Sequence, residues 1–170
     1  RGLGDVYKRQ GMYHMDSGGE VTATDNKTYR PFHYNDRDFG GAMDLIQWGN
    51  LTYWNLNLGI KPMDDLSVRL DYFDYSRTSD RDGVTINGVN QGADVGTNNA
   101  TNTRFAGTQA GTSNKIGTEI DFTVNKSYGD NFNIWALYGV FTPGEFIKGN
   151  PAGTRDDVHT RIQLQSKLTF

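Results

Sequence analysis

The stretch Leu51–Ser76, LTYWNLNLGIKPMDDLSVRLDYFDYS, decides the fold class. In its first half Trp54, Leu56, Leu58 and Ile60 alternate with Tyr53, Asn55, Asn57, Gly59 and Lys61. Successive side chains of a strand point to opposite faces, so Leu51–Lys61 predicts a strand with one apolar and one polar face. Pro62-Met63-Asp64-Asp65 interrupts the pattern as a tight turn. The alternation resumes in Leu66–Ser76, where Leu66, Val68, Leu70 and Tyr72 oppose Ser67, Arg69, Asp71 and a mismatched Phe73.

The same pattern recurs three times further along. In Lys115–Asn125, Ile116, Thr118, Ile120, Phe122 and Val124 share one face, against Gly117, Glu119, Asp121 and Thr123. Lys126–Asp130 reads as a short turn. Asn131–Phe141 sets Phe132, Ile134, Ala136, Tyr138 and Val140 on one side. Its other side, Asn133, Trp135, Leu137, Gly139 and Phe141, is less polar and leaves that strand's orientation open. The last strand, Val158–Phe170, sets Val158, Thr160, Ile162, Leu164, Ser166, Leu168 and Phe170 against His159, Arg161, Gln163, Gln165, Lys167 and Thr169.

Five strands of about 11 residues match the length that crosses a bilayer at a tilt. The two short turns fall at one end of the sheet. The long Gly-, Asn- and Thr-rich connection Arg77–Asn114 and the medium one, Thr142–Asp157, fall at the other. That asymmetry is the layout of outer-membrane barrels. The expected class is therefore all-β: an antiparallel up-and-down transmembrane β-barrel, here an incomplete C-terminal sheet of about five strands with long extracellular loops. The short turns would be periplasmic, and Val84–Val89 would form a small hairpin inside the long loop. A soluble sandwich shows the same alternation with its apolar face turned inward, and periodicity alone does not separate the two.

Composition narrows the field. Among 170 residues Glu occurs only at Glu20, Glu119 and Glu145, while Gly numbers 21. Thr, Asn, Asp and Tyr are plentiful, so a helical bundle is disfavoured. A mean hydropathy of -0.67 with no long apolar run excludes a transmembrane helix but not a membrane barrel. An aromatic content of 12% is too high for a disordered chain. A net charge of -3 with scattered Lys and Arg gives no nucleic-acid footprint. The absence of Cys fits an exported protein built without disulfides. Residues 1–10, RGLGDVYKRQ, read as an adaptor-derived sequencing artefact and are set aside. Residues 11–50 read as an extracellular loop that leads through Met43–Asn50 into the first strand, and 51–170 as the barrel strands. The whole reads as the C-terminal piece of a longer chain.

Four stretches then carry a family resemblance: Gln47-Trp48-Gly49-Asn50-Leu51, Leu58–Leu66 (LGIKPMDDL), Gly117-Thr118-Glu119-Ile120-Asp121 and Phe141–Phe146 (FTPGEF). In order and spacing they resemble the C-terminal part of the alginate-export family of outer-membrane barrels, over about Phe39 to Phe170. The resemblance implies an 18-stranded porin-like barrel in the outer membrane of a Gram-negative cell. It implies passive export or diffusion of a polysaccharide such as alginate, or of small anionic solutes. The end of the chain is similar to the signal that the barrel assembly machinery reads: Phe170 with Leu168, Leu164 and Ile162 at alternate positions, interrupted by Ser166.

A water-filled channel selects by the charges of its wall. The candidate pore-lining residues are Lys61, Arg69, Asp71, Glu119, Asp121, His159, Arg161 and Lys167. Counting down from Ser76 and Lys115 places Arg69 near Asp121 or Glu119. Arg69 and Arg161 would then oppose Asp71, Glu119 and Asp121 in a transverse field. The expected partners are outer-membrane lipid, the assembly machinery and a polysaccharide or small solute, with no nucleic acid. No catalytic role, metal or cofactor is expected. The three His, at 14, 33 and 159, lack a metal-binding spacing, and Ser166 and His159 fall on opposite faces of one strand. Asp36–Asp38 and Asp80–Asp82 lack the EF-hand pattern and read as solvated loop. The alternatives are a soluble glycan-binding β-domain and, behind it, an outer-membrane hydrolase.

Overall fold

The computed structural model describes residues 41–43, 45, 46, 50–78, 113–149 and 157–170, with the backbone of 84–87 and 102–105. Its main element is one five-stranded sheet. The strands are β1 (Leu51–Met63), β2 (Leu66–Arg77), β5 (Lys115–Tyr128), β6 (Phe132–Pro143) and β7 (His159–Leu168), in the order β1-β2-β5-β6-β7. Every neighbouring pair is antiparallel, so the chain runs up and down without crossovers. Each strand matches one read from the alternation, and β1 and β5 run slightly further at their turn-side ends. Lys126 and Tyr128, expected in a turn, continue β5. No described helix is long and apolar enough to cross a membrane, which says nothing about strands.

The long connection holds a ribbon of β3 (Val84–Asn87) and β4 (Asn102–Phe105), paired from Val84↔Phe105 to Asn87↔Asn102. The expected hairpin within Val84–Val89 is thereby corrected. Val84–Asn87 finds its partner about fifteen residues away, a distance that local turn signals do not report. The ends of the connection are held together where Arg77 N–H donates to Asn114 O at 2.8 Å.

The register stacks the apolar side chains in ranks. Leu58, Leu70, Phe122, Tyr138 and Ile162 form one rank across all five strands. Ile60, Val68, Val124, Ala136 and Leu164 form the rank toward the short turns. Leu56, Tyr72, Ile120 and Val140 lie toward the loops, with Trp54 and Tyr72 rings 5.2 Å apart at that margin. Tyr128 and Phe132 pack at 5.8 Å at the turn margin. Ion pairs flank this band. Lys115 meets Asp74 on the loop side, and Lys126 Nζ lies 2.5 Å from Asp65 on the turn side. The hydrogen bond from Lys126 holds the Asp65 carboxyl below the usual carboxylate range.

One expected side-chain position is overturned. Ile116 does not share the face of Ile120 and Phe122. Ser76 pairs with Lys115 but Tyr75 with Gly117, so Ile116 is an extra residue at a register shift. A bulge of this kind turns the side chain to the other face. Ile116 is fully buried there, in a cluster with Ile46, Leu51, Phe146 and Ile147. The last two come from the single turn α1 (Glu145–Lys148), tied to the bulge where Gly144 N–H donates to Ile116 O at 2.7 Å.

Candidate functional site: the polar face of the sheet

The second face carries the candidate residues in aligned ranks. Asp71, Asp121, Gly139 and Arg161 stand side by side on β2, β5, β6 and β7. The next rank toward the loops is Asn55, Phe73, Glu119, Phe141 and His159. Toward the turns, Arg69 lies opposite Thr123, and Lys167 opposite Asn133. Lys61 is exposed near the end of β1. The structure therefore gathers Asp71, Glu119, Asp121, His159 and Arg161, and sets Lys61 and Lys167 apart near the turn end.

One expectation about this face is refined and one corrected. Arg69 stands diagonally near Asp121, as counted, but its ion pair lies elsewhere. It donates to Asp71 on its own strand, Nη2 to Oδ1 at 2.6 Å. The bulge at Ile116 shifts β5 by one residue, which sets Asp121 opposite Asp71 and leaves Thr123 opposite Arg69. Phe73 is not a stray apolar residue on a wet surface. Its ring stacks on Tyr75 at 5.6 Å and tilts against Tyr53 at 6.0 Å. Tyr75 in turn meets Phe141 at 6.4 Å. These aromatic rings come from the loop-side ranks of three strands and are all buried.

A segment ahead of β1 covers them. Ala42 N–H donates to Asp121 Oδ2 at 2.7 Å, and Met43 N–H to Glu119 Oε1 at 3.0 Å. Arg161 Nη1 donates to Met43 O at 2.7 Å, and Tyr75 OH to Glu119 Oε2 at 3.3 Å. Glu119 and Asp121 are consequently 0% and 1% exposed, and Asp71 4%. Buried carboxylates need such donors, because an unpaired one is costly to desolvate. At the loop end the Arg77 guanidinium lies 4.0 Å over the Phe146 ring, which closes the cluster from above.

The turn-side half of the face is different. Asn133 Nδ2 donates to Asn125 Oδ1 at 2.6 Å and to Ser127 Oγ at 3.1 Å. Asn57 Nδ2 donates to Asn55 Oδ1 at 3.0 Å. Thr123, Gln163, Gln165 and Trp135 complete a largely uncharged wall, with Arg69 and Lys167 as its exposed cations. The sequence reading sets Tyr53, Phe73, Gly139 and Phe141 on this face but counts none of them, nor Met43 or Tyr75, among the candidate residues. The signal was present: apolar residues interrupt the polar face of β2 only near its loop end, at Phe73 and Tyr75.

The chain that folds into this sheet of one polar and one apolar face is matched by a family model. The model for alginate export covers residues 10–160. The chain belongs to the alginate-export family. That family serves export across the outer membrane rather than catalysis. Asp36–Asp38 and Asp80–Asp82 of this alginate-export protein lie outside the described residues, as do the His at 14 and 33. Comparison with curated proteins gave no match.

Proposed function

We propose that these strands form part of the wall of a passive outer-membrane channel for a polysaccharide such as alginate, or for small anionic solutes. One observation carries the reading: the polar face of the sheet is covered toward the loops, and the apolar face is bare. Leu58, Phe122 and Ile162 are 53%, 43% and 79% exposed, and nothing among the described residues packs on them. A soluble sandwich buries that face instead. From Thr118 to Tyr128 the strand rises roughly 33 Å, or about 25 Å along the normal at a tilt of about 40°, the height of a barrel's apolar band. Aromatic pairs at the two margins of the band support the same placement, since aromatic girdles flank it. The outer edges of β1 and β7 are unpaired among the described residues. Known barrels begin at about eight strands, so further strands complete this one.

The turn-side wall suits a hydroxyl-rich solute. Its amides and hydroxyls both donate and accept hydrogen bonds, and Trp135 offers an apolar ring beside them. Arg69 and Lys167 supply accessible positive charge for a carboxylate-bearing chain. In planar bilayers the full-length protein should conduct. Arg69→Glu with Lys167→Glu should shift the reversal potential toward cations and leave the folded yield intact. An unmoved potential would remove both residues from the selectivity element, and a protein that never conducts would remove the channel reading.

Ile162, Leu164, Leu168 and Phe170 are exposed on the bare face at the end of the chain. This placement supports recognition of the final strand by the assembly machinery. Phe170→Asp in the full-length protein should lower the fraction that shows heat-modifiable gel mobility without lowering synthesis. An unchanged folded fraction would make the terminal ring incidental.

A further inference from the structure

The segment that covers the polar face is held by features that a passing loop does not need. Its two adjacent N–H groups, of Ala42 and Met43, reach two carboxylates on one strand, Asp121 and Glu119. Its carbonyl at Met43 takes the Arg161 guanidinium from β7. The anchors therefore span β5 to β7, with β6 between them. On β6 the residue below is Gly139, where a Cβ would lie 2.5 Å from Met43 Cγ and 2.7 Å from Asp121 Oδ1. Only glycine leaves room for the Met43 side chain. Gly41 has φ +94, and a Cβ there would run into the Glu119 carboxylate and the Tyr75 hydroxyl. Backbone shape, wall shape and donor positions thus agree on one seat for Gly41, Ala42 and Met43.

We propose that Gly41–Met43 is a constriction segment fixed inside the channel, and that Glu119, Asp121 and Arg161 are its positioning residues rather than charges presented to the solute. The proposal rests on the channel reading. A chain laid on a wall adds a layer about 10 Å thick, so it narrows the bore at the Asp71–Asp121–Gly139–Arg161 rank. It also consumes the charges of that rank. Asp121, and Glu119 in the next rank, each give one oxygen to a backbone N–H group, and Arg161 spends a donor on a carbonyl. Size exclusion is set at this level, while charge selection falls to exposed cations such as Arg69 on the turn side. The Arg161 bond to the Met43 carbonyl is charge-assisted, the stronger kind. Water would satisfy the same groups if the segment left, so release exposes no orphaned charge.

The chain has no Cys, so a cross-link can be placed cleanly. In the full-length protein, Met43→Cys with Gly139→Cys should form a disulfide in the native membrane, read by mass spectrometry of the linked peptides. Oxidation should leave the single-channel conductance of this variant equal to that of its reduced form. Glu119→Ala with Asp121→Ala should raise conductance by about two-fold and admit larger neutral polymers, as loss of a layer about 10 Å thick requires. Adding the cross-link to that release variant should restore the wild-type conductance and size limit. Failure of the two thiols to link in folded protein would overturn the placement. Should the release variant not fold, Ala42→Pro removes one donor from the segment and leaves the wall intact. An unchanged size limit in a folded release or Ala42→Pro variant would overturn the constriction role. A linked protein that conducts in no form would overturn the channel reading itself, and the constriction with it.

Discussion

Phe141→Ala is expected to destabilise the folded protein by about 3–5 kcal/mol, the usual cost of truncating a well-packed buried ring. Phe141 is 1% exposed and sits between Tyr75, at 6.4 Å, and His159, at 6.4 Å. It belongs to the same cluster as Met43, Ile46 and Phe146, so the cavity would open beneath the segment as well as within the sheet. The exposed Tyr138, on the opposite face of the same strand, provides the comparison. Tyr138→Ala should cost far less, because its ring already faces outward. Urea unfolding of the full-length protein in detergent or lipid, followed by tryptophan fluorescence, would give both values. Equal losses at Phe141 and Tyr138 would show that both faces are packed, which a two-layer soluble fold requires and a barrel wall does not.

Phe122→Arg should cost about 2–4 kcal/mol in a bilayer, because Phe122 lies in the middle apolar rank and a cation there meets hydrocarbon. Its neighbour Thr123 points to the polar face, opposite Arg69 and Leu137. Thr123→Arg should cost no more than about 1 kcal/mol, the repulsion from Arg69 across the strands. The pair differs by one residue along a single strand, so strand propensity and expression are closely matched. The comparison isolates what each face touches. Folding free energies in lipid vesicles and in water-soluble surfactant give the check: the penalty at Phe122 should shrink when the hydrocarbon layer is replaced by mobile detergent. A penalty at Thr123 as large as that at Phe122 would place both faces in protein and remove the lipid contact.

The wall was legible in the sequence because alternation is a local property. Trp54 to Ile60 and Ile120 to Val124 declare their face without knowledge of any partner, and the lengths of the connections declare the order of strands. The register was less legible. Counting from Ser76 and Lys115 ignores the extra residue at Ile116, so it misses that Thr123 is the residue opposite Arg69 and puts Ile116 on the wrong face. A bulge carries no charge or turn signature of its own. It is selected by what the displaced side chain finds, here the cluster of Leu51, Ile46 and Phe146.

What the sequence determined by itself was the sheet: its five strands, their directions and the division into an apolar and a polar face, all consequences of the period-two geometry of a strand. The tertiary structure decided the use of the polar face. Asp71, Glu119 and Asp121 read as charges in water when each strand is taken alone. In the fold all three are buried: Asp71 pairs with Arg69, and for Asp121 and Glu119 backbone N–H groups from Ala42 and Met43, far away in the chain, supply donors that replace water. Such pairings join residues separated by 79 and 76 positions, so nothing in the local pattern of either partner announces them. The physical reason is that a strand's face is set by its own backbone, whereas the environment of that face is set by whatever the rest of the chain lays across it.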